Sequence, residues 1–394
     1  MLLAVGTAET ARRLLAPRAP ALEPVRVDVQ SYFSAEEIDR GRRYARPQLA
    51  LGLTRGLIDA MALARLVRRP PRPLQRAGPG GQGPIGGAVT AAGLSLALSL
   101  PTLPLRAISR RRAMAVGLDT QSWGAWAGDA AKAAVIQTVF AGGAGAAVVA
   151  VTRRFPRLWW VPLGSGAVVF GAGLAALAPV VLDPIFNDFE PLPEGELRSD
   201  VLELARAADV SVGEVYSVDA SRRTTAANAY VTGLGPTKRV VLFDTLIDRY
   251  QRDEIRLVVA HELAHVRHRD LWRGLLYAAI VAPAAALAVQ RLSWELSPER
   301  GTPAALPAIA LAASVITGPI GLVGNRLSRA MERRADHFAL ELAGAPDAFV
   351  SFERTIALQN VADLDPPRWV SRLMATHPPT AERIGAAVAF AQAE

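Results

Sequence analysis

The sequence holds five histidines, His261, His265, His268, His337 and His377, and none lies in the first 260 residues. Two of them stand in the run His261-Glu-Leu-Ala-His265. On a helix, residues four apart share a face, so both imidazoles can reach one metal ion, and zinc accepts neutral imidazole nitrogen. Glu262 lies beside them, off that face, where it can take a proton from a water at the metal. A catalytic zinc usually has three protein ligands and one open position. The chain has no cysteine, so a third ligand must come from elsewhere. Downstream, Glu332-Arg-Arg-Ala-Asp336 puts two carboxylates on one helical face. Glu332 can complete a site of two histidines and one glutamate, and Asp336 can accept the outer N–H of a ligand histidine. On periodicity alone, the same stretch reads more simply as a solvated helix rich in Glu, Arg and Asp. His268 reads as a helix-end histidine near a membrane surface, and His337 as a packing residue.

The elements that must position these groups are unusually apolar. The chain of 394 residues is 51% hydrophobic before its 32 glycines are counted, above the usual share of soluble domains. Six runs approach the length that crosses a bilayer: 48–67, 84–107, 131–152, 159–182, 272–290 and 303–323. The first is interrupted by Arg55, Asp59 and Arg65, and Arg55 and Asp59 fall on one helical face, as a pair inside a bundle would. Trp159 and Trp160 read as interfacial anchors. Residues 68–83 are a Pro/Gly/Arg linker. Met1 to Gly6 is apolar but too short to span and makes a poor signal peptide. Ser34-Ala-Glu-Glu37 is a capping box ahead of a helix.

Two polar blocks remain, 183–271 and 325–394, separated by a helical hairpin, and they carry all the rare chemistry. The first predicts a helix over 194–208, alternating segments at 214–219 and 228–232, a strand at Arg239–Phe243 and a long helix from about 251. The net charge of +8 comes almost wholly from arginine, since Lys132 and Lys238 are the only lysines. With abundant alanine, this looks like the coding bias of a high-GC bacterial genome. No basic, aromatic-interleaved stretch points to nucleic acid.

HELAH at 261–265 with ERRAD at 332–336 resembles the gluzincin arrangement of the integral-membrane CAAX prenyl protease 1 family. Asp183-Pro-Ile-Phe-Asn187, Asn228-Ala-Tyr-Val-Thr-Gly233, Lys238-Arg-Val-Val-Leu-Phe-Asp-Thr245, Thr376-His-Pro-Pro-Thr-Ala-Glu-Arg383 and Gly117-Leu-Asp-Thr-Gln-Ser-Trp123 match further segments of that family in the same order. The resemblance covers roughly residues 32–390. It implies a mostly α membrane protein: a multi-span helical bundle with an inserted gluzincin-type α+β zinc protease domain carrying a small sheet. It implies one Zn2+ per chain on His261, His265 and Glu332, with Glu262 as general base and Asp336 orienting a ligand histidine. By the same resemblance His377 and Arg383 touch substrate or oxyanion, and Asn228 and Tyr230 lie on an edge strand that binds substrate backbone. The family has seven spans against the six runs here, which leaves Met1 to Val5 as either a remnant of the first span or the product of a start assigned too far downstream.

These residues predict a zinc metalloendopeptidase acting on peptide or membrane-protein substrates at the membrane boundary, multi-pass in a bacterial membrane. The expected division is 1–182 (membrane region), 183–271 (first protease part), 272–324 (membrane hairpin) and 325–394 (second protease part). A heat-shock-type quality-control protease is the nearest alternative. An inactive relative serving as membrane chaperone or transporter is the alternative of another class. A site-2-type intramembrane protease is disfavoured by the charges flanking HELAH, among them Arg252, Asp253, Arg267 and Arg269. Arginines fall about evenly on both sides of the runs, so the positive-inside rule does not orient the chain, and the resemblance places the site on the cytoplasmic side.

Overall fold

The computed structural model describes residues 1–18, 22–70, 83–233 and 238–393. Most of the expected linker at 68–83, with Arg72 and Arg76, lies outside the described residues.

Long helices come first: α1 (Leu2–Leu15), α2 (Ala35–Arg68), α3 (Pro84–Ala115), α4 (Trp123–Arg154) and α5 (Trp160–Val181). The expected capping box starts α2, with Ser34 Oγ accepting from the Glu37 N–H at 3.2 Å and Glu37 accepting from the Ser34 N–H at 2.8 Å. Two later helices, α8 (Asp270–Leu296) and α9 (Leu306–Ala343), follow a small sheet. Among the described residues, five helices are long and apolar enough to cross a membrane: α3, α4, α5, α8 and the helix ending at Ala343. The run 48–67 is not one of them, because it lies inside α2 with its three charges. Arg55 and Asp59 form no ion pair; Arg55 Nε is buried without a partner. Trp159 is no exposed anchor either, being 4% exposed and packed with Ala4, Val289, Ala312 and Ile316.

The helix α1 extends well past the apolar start that the sequence suggests. Ala4, Ala8 and Ala11 form one fully buried face against α8 and α9, and such small side chains let helices approach closely. Polar residues on its other side close the contact, Glu9 meeting Arg326 at 3.0 Å.

The polar block after α5 builds β1 (Phe189–Pro191), α6 (Glu196–Ala207), β2 (Glu214–Val218), β3 (Ala229–Thr232), β4 (Arg239–Phe243) and α7 (Arg252–Arg267). The sheet order is β1-β2-β4-β3, with β2 and β4 parallel and the outer pairs antiparallel. β3 is therefore an edge strand. Ala229 pairs with Leu242 and Thr232 with Arg239. The core joins Val215, Val240 and Leu242 of the sheet to Val201 and Leu204 of α6 and to Ile255, Val259 and Leu263 of α7. Ile255, Val259 and Leu263 recur every four residues, one face of the helix. His261 and His265 are offset from that stripe by two positions, so burial of the stripe turns both imidazoles away from the sheet.

After α9 come α10 (Pro346–Gln359) and α11 (Thr380–Ala393). The helix α9 has 38 residues and is roughly 57 Å long at 1.5 Å per residue. It carries the last apolar run straight into Glu332 and Asp336. Gly41 of α2 is required where the membrane region meets the loop after α10: a Cβ there would lie 2.0 Å from the Ala362 carbonyl oxygen. Arg46 seals this contact on Asp363 at 2.8 Å.

Candidate metal centre

The tight link between α7 and α8 sets the site. His268 caps α7, Arg269 takes a left-handed conformation at φ 57°, and α8 begins at Asp270. This reversal brings Asp270 back to His265, whose Nδ1 lies 3.0 Å from Asp270 Oδ2. Arg334 of α9 holds the other carboxylate oxygen. His261 is held in the same manner, its Nδ1 lying 2.9 Å from Asp336 Oδ1, in an approach off the ideal hydrogen-bond direction.

With both Nδ1 atoms against carboxylates, both Nε2 atoms face inward. They lie 3.2 Å apart. Glu332 reaches between them, Oε2 at 3.3 Å from His261 Nε2 and Oε1 at 3.5 Å from His265 Nε2. One ligand atom from each of His261, His265 and Glu332 falls within 4.8 Å of the others. Glu332 Oε2 is buried without a hydrogen-bond partner. Converging lone pairs, one orphaned carboxylate oxygen and outer nitrogens backed by carboxylates are what a metal cation needs. The donor set, two imidazoles and a carboxylate, fits.

A cavity of about 410 Å³ opens beside these groups, with Asn228, His261, Glu262, Phe349, His377 and Arg383 in its wall. Glu262 is adjacent but not in the ligand cluster. Burial holds its carboxyl above the usual range, against the pull of His261 and His265, which moves it toward the range of a useful base. For His261, burial acts downward, but the adjoining carboxylates of Asp336 and Glu332 outweigh it and push the imidazole up to about 10. His377 is the accessible imidazole of the group: its side chain is 63% exposed, with Nε2 3.3 Å from Glu332 Oε2. Burial lowers its imidazole below the ordinary value.

Arg383 sits differently from the sequence-based expectation of an oxyanion donor. Its Nε and Nη2 grip Asp336 at 2.9 and 2.6 Å, and its Nη1 lies 2.5 Å from Glu353 Oε1. All three nitrogens are engaged by carboxylates. Asn228 lines the cavity, whereas Tyr230, two residues along the edge strand, does not; it faces Asp183, and burial with that charge pushes its hydroxyl up to about 12. His268 stacks edge-on against Phe338, and His337 approaches Glu341 at 3.3 Å; neither joins the cluster.

Sequence reasoning passed over Asp270, Arg334 and Glu353. Asp270 had one readable signal, an acidic residue at the threshold of an apolar run just after HELAH. Replacing it with asparagine should weaken metal affinity roughly 10–100-fold, as loss of such an outer partner does, with little change in thermal unfolding of the metal-free protein. Chelator competition on the purified Asp270→Asn chain measures it; unchanged affinity would remove Asp270 from the site.

The sequence profile of peptidase family M48 matches residues 191–391. That of the CAAX prenyl protease N-terminal region, five membrane helices, matches residues 22–188. An uncharacterized metalloprotease, YhfN, of Bacillus subtilis is 32% identical over 300 residues, 74% of this chain and 70% of that one. A CAAX prenyl protease 1 homolog of Oryza sativa is 31% identical over 54% of this chain and 52% of its own length. The crystal structure of S. mikatae Ste24p superposes with a TM-score of 0.81 over 98% of this chain and 97% of that one, at 19% identity, a likeness of fold.

Proposed function

Since the chain belongs to peptidase family M48 and is an integral-membrane metalloendopeptidase, we propose that its ion is zinc, held by His261, His265 and Glu332, and that Glu262 is the general base. The observation that carries this reading is the convergence of those three side chains beside a cavity, each imidazole backed by its own carboxylate. Zinc bound there would act as a Lewis acid toward a peptide carbonyl and acidify water.

The protein's own groups do the rest. An extended peptide lies along the free edge of β3, where backbone pairing gives affinity, with Asn228 at the cavity end. Tyr230 shares that strand and acts through its backbone, since its hydroxyl is turned to Asp183. Glu262 takes a proton from the attacking water and delivers it to the leaving amine. His377, the accessible imidazole beside Glu332, donates a ring N–H to the carbonyl oxygen as negative charge builds there. Asp336 and Asp270 keep the two imidazoles turned inward.

Substrates are peptides of membrane-associated proteins, lipidated or not. This reading is supported by Asp270 beginning one helix long and apolar enough to span a membrane and Glu332 lying along another. The working division keeps 1–182 and 272–324 as membrane parts and 183–271 with 325–394 as the peptidase, on the cytoplasmic side by resemblance. Purified chain in lipid nanodiscs, given matched peptides with and without a prenyl group, tests the reading. Zinc-dependent cleavage is expected, and preference for the prenylated peptide would narrow the substrate class. No cleavage of either peptide, or cleavage unaffected by zinc removal, would overturn it.

A further inference from the structure

Glu353 is among the most deeply buried charged residues described, 2% exposed, and nothing in the hydrolytic scheme uses it. It sits on α10 and forms part of the cavity wall with the apolar Phe349, Phe352 and Ile356. Burial pushes its carboxyl up to about 7 despite the opposing pull of Arg383. A carboxylate kept in such surroundings is poor at adding stability, because desolvation offsets much of the attraction.

Its contact is an ion pair with Arg383 Nη1 at 2.5 Å, in an approach off the ideal hydrogen-bond direction. Arg383 lies over the Phe349 ring, 5.5 Å from its centroid, and spends its other two nitrogens on Asp336. Asp336 in turn meets the outer nitrogen of His261. Planar guanidinium is suited to bridging two carboxylates at fixed angles, which a single ammonium cannot do. Without Glu353, the Nη1 end of Arg383 has no anchor, and the fork on Asp336 can rotate.

We propose that Glu353 is a positioning residue for the metal centre, clamping Arg383 so that Asp336 holds His261 in the ligating orientation. Arg383 is then a strut between two carboxylates rather than a donor to the substrate. The inference rests on His261 being a metal ligand, as argued above, and it gives α10 a part in the site that its sequence does not announce.

Zinc affinity of the full-length chain in nanodiscs, measured by chelator competition, is the primary readout, with kcat and KM beside it. Glu353→Ala is expected to lower zinc affinity roughly 10-fold, at the low end for an outer partner, and to lower kcat in subsaturating zinc with KM unchanged. Glu353→Gln, whose side-chain oxygen still accepts from Arg383, should recover most of that affinity. Arg383→Lys should lose as much as Glu353→Ala, and the double variant no more than the larger single loss, because both act through one strut. If Glu353→Ala does not fold, Arg383→Lys and Glu353→Gln decide. Unchanged zinc affinity in Arg383→Lys, additive losses in the double variant, or a raised KM with unchanged zinc affinity would overturn the proposal, the last by making Glu353 a substrate contact. Wild-type chain that binds zinc but cleaves no peptide would sink the peptidase reading and leave this one standing.

Discussion

Glu262→Gln should keep its zinc and lose its turnover. Glutamine fills the same space and cannot accept a proton, and removal of a general base costs roughly 10²–10⁴-fold in kcat, or about 3–5 kcal/mol of barrier at 1.36 kcal/mol per tenfold. Metal content should stay at the wild-type level, because Glu262 stands outside the cluster of His261, His265 and Glu332. Burial of its carboxyl, which raises its proton affinity, is what fits it for this work. Metal analysis and peptide cleavage on one preparation measure both. Wild-type cleavage by zinc-loaded Glu262→Gln would remove Glu262 from the mechanism. An inactive, zinc-loaded variant would also serve as a trap for uncleaved membrane substrates.

His265→Ala is the complementary case, with the metal lost rather than the proton carrier. Truncating one of three ligands should weaken zinc binding well beyond the roughly 10–100-fold expected for an outer partner such as Asp270. Cleavage should vanish at ordinary zinc concentrations. The fold should survive, because His265 is only partly buried while the helix is anchored from its other face by Ile255, Val259 and Leu263. Elemental analysis with thermal unfolding separates the two effects. Retention of one zinc per chain by His265→Ala would contradict the ligand assignment.

What could be read from the sequence follows from where the information sits. Arg239–Phe243 is a strand residue for residue, because a short apolar β-branched run admits little else. HELAH was legible because two scarce imidazoles at helical spacing point to one ion. Asp270 was hidden by its neighbour: the turn that brings it back needs a left-handed residue, and arginine at 269 gives no sign of one, where glycine or asparagine would. Glu353 carries no signal in the sequence, since the group it pairs with, Arg383, arrives from thirty residues downstream. For Arg383, the resemblance gave a role at the substrate but no sign of the two carboxylates, Asp336 and Glu353, that its guanidinium meets. The helix α1 escaped notice because it packs through alanines, not through bulk hydrophobicity, so no hydropathy signal marks residues 7–15. For Arg55 and Asp59, helical spacing left an interior pair and a peripheral helix equally open, and the run is not among the candidate spans.

The central claim is that His261, His265 and Glu332 hold one zinc that peptide hydrolysis requires. Counting zinc and cleavage together tests it most directly, on wild-type and Glu332→Ala chains stripped by chelator and then titrated with zinc. The account predicts that wild-type cleavage rises with bound zinc and levels off at one ion per chain, while Glu332→Ala neither retains that ion nor cleaves. Cleavage by the stripped wild type, or one tightly held zinc and full activity in Glu332→Ala, would contradict it.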